Sequence, residues 1–295
     1  MSVSAVQVKE LRERTGAGMM ECKKALEVTG GDIQLAVEEL RKTGRAKADK
    51  KAGRVAAEGV VLIQTSHDGK QAIMLEVNSE TDFVARDDNF LQFVNAVATT
   101  ALGAKAQDVA ALNNLTLAGQ CNIKIEEARQ ALVAKVGENI HVRRLAFANT
   151  ANTTIGTYLH SNRIGVLVEL DSNNPEIAKD IAMHIAACKP LVVMPEDVPH
   201  DSVAKEKEVY LAQAASSGKP QEIIEKMVNG RLKKFLDEVS LLGQPFVKDP
   251  NMTVADLLNK NRVKVLAFTR FEVGEGIEKE TEDFVEAVMA QVQGS

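Results

Sequence analysis

An α+β fold with a duplicated core is predicted by three observations. Ile73-Met74-Leu75-Glu76-Val77-Asn78-Ser79 and Val166-Leu167-Val168-Glu169-Leu170-Asp171-Ser172 share one pattern of three apolar residues, Glu, one apolar residue, an amide or acid, and Ser. Each copy follows a second strand-like run and a turn, and precedes apolar residues at helical spacing. Helical periodicity also marks both ends of the chain and an insertion in the second copy. The layout predicted is three short helices, two subdomains with three-stranded antiparallel sheets and helices on one face, an inserted αα-hairpin and a C-terminal helix.

The elements follow in order. Ser4 caps a helix carrying Ala5, Val8 and Leu11, which Thr15-Gly16-Ala17-Gly18 breaks. Met19, Cys22, Ala25 and Leu26 mark a second helix ended by Gly30-Gly31, and Asp32 caps a third with Ile33, Ala36, Val37 and Leu40. So small a module is marginal alone and needs a partner or the rest of the chain to dock on. Arg41 to Arg54 is basic, lacks large apolar residues and reads as a linker with some helical character. Its charges suit either a solvated face or a contact to an acidic surface or RNA.

The first copy has strands at Val60 to Thr65, Gln71 to Val77 and Asn139 to Ala148, with helical residues near Ile123 to Val136 ended by Gly137. The second has strands at Ile155 to His160, Ile164 to Leu170 and Arg262 to Val273, and a helix with Ile177, Ile181, His184 and Ile185. In the closing strands Leu145-Ala146-Phe147 matches Leu266-Ala267-Phe268. The hairpin runs over Ser202 to Ala215 and Gln221 to Val239, its second arm bearing Ile223, Ile224, Met227, Val228, Leu232, Phe235, Leu236 and Val239. That stripe serves self-packing or a second chain. Glu278 to Val292 is the last amphipathic helix, with Phe284, Val285, Val288 and Met289.

Composition narrows the function. Net charge is −5, with 36 basic and 41 acidic residues, which weighs against general nucleic-acid binding. With no Trp and two Tyr, stacking platforms for single strands are scarce too. No apolar run approaches the ~20 residues that span a bilayer, and no export signal is visible at the N-terminus. Cys22, Cys121 and Cys188 are odd in number and widely spaced, so each is expected as a small buried hydrophobe in a reducing cytoplasm.

No catalytic constellation emerges. The segment Thr15 to Gly18 lacks the Gly-x-x-x-x-Gly-Lys-Ser/Thr of a phosphate loop. His67, His141, His160, His184 and His200 have no metal-ligand spacing, and no Gly-x-Ser-x-Gly elbow occurs. No cofactor or metal is expected, and the chain reads as a binding protein rather than an enzyme.

Phe83 stands out in Thr81-Asp82-Phe83-Val84, between a strand and a helix. When the two copies are kept in register, Val84 falls on Ile177 and Phe83 on Glu176. A position that accepts Glu lies in water, because an unpaired buried carboxylate is costly. Phe83 is thus an exposed apolar probe, serving a partner contact or a local staple at the helix start.

Val8 to Leu26 (VKELRERTGAGMMECKKAL), Thr81-Asp82-Phe83-Val84-Ala85, His160 to Val168 (HSNRIGVLV), Met183 to Ala187, Gly243 to Val247 and Arg270 to Gly276 follow one another along the whole chain. In these motifs the chain resembles the bacterial elongation factor Ts family. The resemblance implies a UBA-like helical module and basic linker at 1–54 that docks on the GTPase domain of elongation factor Tu. Core subdomains at 55–152 and 153–276, a coiled-coil hairpin at about 193–241 and a C-terminal helical module at 277–295 complete the implied layout.

The implied function is guanine-nucleotide exchange on elongation factor Tu, with Thr81, Asp82, Phe83 and Val84 displacing Mg2+ from the partner's nucleotide site. His160 is implied as a supporting contact, and the hairpin as a dimerisation or partner element. No direct nucleic-acid or membrane partner is implied. Glu80 departs from a more Gln-like residue expected there, and its charge is expected to tune docking. An RNA-binding module built on Arg41 to Arg54 is the alternative from another class; a hydrolase would need residues the chain does not display.

Overall fold

Caps set the first helices where the chain can satisfy its free N–H groups. In the computed structural model, which describes residues 3–150, 153–215 and 220–278, α1 (Ala5–Thr15) begins with a reciprocal box. The Ser4 hydroxyl accepts from the Gln7 N–H and the Gln7 side chain accepts from the Ser4 N–H. After α2 (Met19–Val28), the Asp32 carboxylate caps α3 (Ile33–Lys51). Leu11, Cys22, Ala25, Leu26 and Ala36 give the module a small core of its own.

The first subdomain contains β1 (Glu58–Thr65), β2 (Gln71–Ser79), α4 (Asp82–Ala85), α5 (Asp88–Ala104), α6 (Val109–Asn113), α7 (Ile125–Val136) and β3 (Ile140–Asn149). Its antiparallel sheet has the order β1-β2-β3. The second contains β4 (Thr154–His160), β5 (Ile164–Leu170), α8 (Pro175–Cys188), α9 (His200–Ala215), α10 (Gln221–Val239), β6 (Pro245–Phe246), β7 (Asp249–Thr253), α11 (Val254–Asn261) and β8 (Val265–Glu272). Its sheet has the order β4-β5-β8, also antiparallel. Helices α6 and α11 and the short β6–β7 ribbon go beyond the expected pattern.

Both sheets are covered twice. Ile73, Leu75 and Val77 of β2 pack under Phe90, Val94 and Val97 of α5, while Val166, Val168 and Leu170 of β5 pack under Ala178, Ile181 and Ile185 of α8. The opposite faces meet each other: Val61, Ala72, Met74, Leu167, Phe271 and Val273 form a shared layer between the sheets. This two-sided burial explains why β2 is apolar without alternation from Ala72 to Leu75. The contact is tightest at Gly165, where a Cβ would sit 2.5 Å from Val61 Cγ1 and 2.8 Å from Met74 Sδ.

Three expectations change. The basic stretch from Arg41 is no linker, because α3 continues through it to Lys51. Its small side explains the missing large residues: Gly44 and Ala48 are buried, and a Cβ at Gly44 would lie 3.6 Å from Ala134 Cβ on α7. Lys47 pairs with Glu21 within the module, whereas Lys51 donates to the Gly137 carbonyl at the end of α7, so the module docks on the first subdomain through Gly44 and Lys51.

The closing strands match two residues out of the expected register. Glu76 faces Arg144 and Glu169 faces Ala267, each followed by a bulge, so Leu145 corresponds to Phe268 rather than Leu266. Leu266 falls in the bulge and is exposed. Finally, Cys121 and Cys188 are exposed, because one lies in a loop and the other ends α8; Cys22 is buried as expected.

In the hairpin, Val228 is buried while Ile223 and Val209 remain exposed, so mutual packing of the arms leaves apolar surface open. The expected Glu278 to Val292 helix lies outside the described residues beyond Glu278. No helix among the described residues is long and apolar enough to cross a membrane.

Candidate partner-contact site

Strand β2 delivers the chain to a single helical turn, α4, by way of Ser79, whose hydroxyl donates to the Thr81 carbonyl at 2.9 Å. Thr81 is the N-cap, with extended backbone and its hydroxyl accepting from the Val84 N–H at 3.4 Å. Val84 and Ala85 turn into the first core. Between them and the cap, Phe83 faces solvent and is 81% exposed. Glu176, its counterpart on α8, is exposed as well. Asp82 pairs with Arg86 at 2.9 Å on the surface.

Two carboxylates hold this turn from outside. Glu138, just after the Gly137 cap of α7, accepts from the Thr81 N–H at 3.0 Å and the Thr81 hydroxyl at 2.7 Å. Glu80 accepts from the Asn139 N–H at 2.6 Å and pairs with Arg54 at 3.5 Å. Asn139 in turn donates its amide to the Arg54 carbonyl at 2.9 Å. The charge on Glu80 is thus engaged within the chain, beside the end of α3.

His160 is elsewhere. It ends β4, exposed, with Nδ1 3.3 Å from the Tyr158 hydroxyl and its ring stacked on that tyrosine. The following turn has Ser161 and Asn162 both at positive φ, as a type I′ turn requires. The Asn162 carbonyl accepts from the Val61 N–H at 2.8 Å, which ties this turn to the outer edge of β1. The structure therefore brings Thr81, Asp82, Phe83 and Val84 together on α4. Among the described residues no hydrogen bond, ion pair or ring contact joins His160 to them.

A charged seam behind the site ties the two halves. Glu76 is fully buried, with Arg143 at 3.0 Å, Arg144 at 2.5 Å, the Gly274 N–H at 2.8 Å and the Asn78 amide at 3.0 Å. The β3 bulge lets two successive arginines reach one carboxylate. Burial pushes the Glu76 carboxyl up, but the Gly274 N–H, Asn78 and Arg144 outweigh it and hold it below the usual carboxylate range. Arg143 and Arg144 also donate to the Glu275 and Glu272 carbonyls, on the second half.

Sequence reasoning passed over Glu138, Glu80 as an internal partner, and this seam. A signal for Glu76 exists: a carboxylate inside an apolar strand run demands a cation, and Arg143-Arg144 are the adjacent pair on a neighbouring strand. Glu138 carries no such mark, lying 57 residues from Thr81.

Comparison with known proteins agrees over the whole chain. A family model described as Elongation factor TS matches residues 80–275. Elongation factor Ts of Thioalkalivibrio sulfidiphilus is 57% identical over 296 residues, covering all of both chains. The Legionella pneumophila (strain Philadelphia 1) protein of that name is 56% identical over 292 residues, covering 99% of each. That of Alkalilimnicola ehrlichii is 54% identical over 295 residues, again covering all of both. The chain belongs to the elongation factor Ts family, a family of translation elongation factors.

Proposed function

We propose that the chain is a guanine-nucleotide exchange factor for elongation factor Tu. It binds the GDP-bound GTPase, promotes GDP release by displacing Mg2+ and disturbing the phosphate site, and stays bound until GTP enters. Thr81, Asp82, Phe83 and Val84 form the segment that does this, Phe83 and Asp82 meeting the partner and Val84 anchoring the turn in the core, with His160 in support. The observation that carries the reading is Phe83: a large apolar side chain, 81% exposed, on a turn anchored by Val84, Ala85 and Glu138.

The physical logic needs no bond-making by this chain. GTPases hold nucleotide through Mg2+ and phosphate contacts. A protein that binds the nucleotide-free state more tightly than the loaded one weakens nucleotide by the same factor, by linkage. A wedge that finds an apolar seat only after the partner's Mg2+ and phosphate segments shift supplies that difference. The Asp82–Arg86 pair is exposed and worth at most about 1 kcal/mol, so Asp82 exchanges Arg86 for a partner cation at little cost.

The same reading assigns 1–54 to partner docking, 55–152 and 153–276 to the exchange core, the hairpin at about 193–241 to a homodimer or partner contact, and 277–295 to docking. It places the work in the cytoplasm, without nucleic acid or membrane as a direct partner. The test is to mix the protein with elongation factor Tu loaded with fluorescent GDP. Accelerated loss of the label supports the proposal; release at the spontaneous rate contradicts it.

A further inference from the structure

Helix α4 has four residues, too few to hold its own geometry, since a first helical turn costs more order than its hydrogen bonds return. Val84 and Ala85 anchor one side of it in the core. The cap, which sets the direction in which Phe83 leaves the turn, has a different support. Glu138 reaches it from the α7–β3 junction with both oxygens, one on the Thr81 N–H and one on its hydroxyl.

The chemistry of that contact is directional. A threonine hydroxyl has one hydrogen and two lone pairs. Giving the hydrogen to Glu138 aims a lone pair at the Val84 N–H, which is the capping bond. The carboxylate therefore orders the cap twice, by gripping the backbone of Thr81 and by orienting its hydroxyl. Charge-assisted, two-pronged bonds of this kind fix geometry more firmly than single neutral ones. The junction carrying Glu138 is itself pinned, because Asn139 donates to Glu80 and to the Arg54 carbonyl while Lys51 donates to Gly137.

We infer that Glu138 is a positioning residue for exchange: it does not meet the partner but fixes the Thr81 cap so that Phe83 is presented in the orientation the wedge requires. The inference rests on the reading of Phe83 given above. It separates two quantities that a general loss of structure moves together. Encounter with elongation factor Tu, through other surfaces, is unchanged by loosening the cap; the maximal rate of GDP release is not.

Glu138→Gln is the sharpest variant, since it keeps the shape but removes the charge, and with its oxygen on the Thr81 N–H it turns an amide donor to the Thr81 hydroxyl, which then no longer gives its hydrogen to this residue. With full-length protein and elongation factor Tu carrying fluorescent GDP, the maximal release rate is expected to fall about tenfold. The half-saturating concentration is expected to stay within about twofold, and Glu138→Asp to recover part of the loss. In the Phe83→Ala background, Glu138→Gln is expected to add nothing, because a residue acting only through Phe83 has no effect once Phe83 is gone.

Each outcome decides something. Release slowed by Phe83→Ala but not by Glu138→Gln overturns this inference and leaves the exchange reading standing, as do effects that simply multiply in the double variant. No effect of Phe83→Ala overturns the wedge itself. Should Glu138→Gln lower the melting temperature substantially, Thr81→Val, which removes the hydroxyl from the other side of the bond, must reproduce the rate loss, and failure to do so counts against the proposal.

Discussion

The two ring nitrogens of the buried His184 have opposite roles. Nδ1 accepts from the Val247 N–H at 3.1 Å, so Nε2 carries the proton and gives it to the Gln244 side-chain oxygen at 2.9 Å. Gln244 passes the chain on to the Glu238 carbonyl at 2.7 Å, at the root of the hairpin. Burial holds the His184 pKa below the usual 6.5, outweighing the Gln244 bond that raises it. The unfolded chain therefore takes up the proton first, and stability that is complete above about pH 6.5 falls as pH drops below it, by at most about 1.4 kcal/mol per unit. Melting curves between pH 8 and 5.5 should steepen this way in the parent protein and less in His184→Gln; equal slopes would remove His184 as the cause.

Glu76 shifts in the same direction for the opposite reason, because here the charged form is the favoured one. Its carboxyl is held low, so its contribution is present above the ordinary carboxylate pKa and is lost as pH falls through the folded value. Glu76→Ala strands Arg143 and Arg144 and is expected to cost about 3 kcal/mol, measurable by denaturant unfolding. A change under 0.5 kcal/mol would show the seam to be ornamental. The sequence made the exposure of Phe83 readable through Glu176, a comparison within one chain. It left Glu138 unread because a hydrogen bond across 57 residues has no periodicity to betray it.

Among the elements, α3 is the clearest case of a pattern misread for a physical reason. Helix packing through small residues looks like a linker, because the usual large apolar stripe is missing, and the long basic side chains outside dominate the composition. Gly44 shows the difference: a methyl there meets Ala134 at an ordinary contact distance of 3.6 Å. Gly44→Ala should therefore raise stability by about 0.5–1 kcal/mol through helix propensity, whereas Gly44→Leu should force α3 from α7 and lower it. Thermal melts of the two variants would move in opposite directions; a shift of both downward would mean the helices are closer than described. The strands were easier, since turns and alternation bound them, except that a repeated Leu-Ala-Phe string suggested a register that the bulges after Glu76 and Glu169 overrule.

At the scale of the whole molecule, duplication announced two similar halves but not how they meet. Strand periodicity says which side chains share a face, not what covers that face. Gly165 tests the arrangement: Gly165→Ala puts a methyl into Val61 and Met74, pushing the sheets apart at an expected cost of about 1–3 kcal/mol by chemical unfolding. Tolerance of that methyl would contradict back-to-back packing. These sheets, the Glu76 seam and the Glu138 bond together make a rigid mount for one exposed aromatic ring. The most direct measurement is stopped-flow release of fluorescent GDP from elongation factor Tu at saturating parent protein and at saturating Phe83→Ala. The account predicts an unchanged melting temperature and a maximal release rate at least tenfold lower for the variant. Equal rates for the two proteins would contradict it.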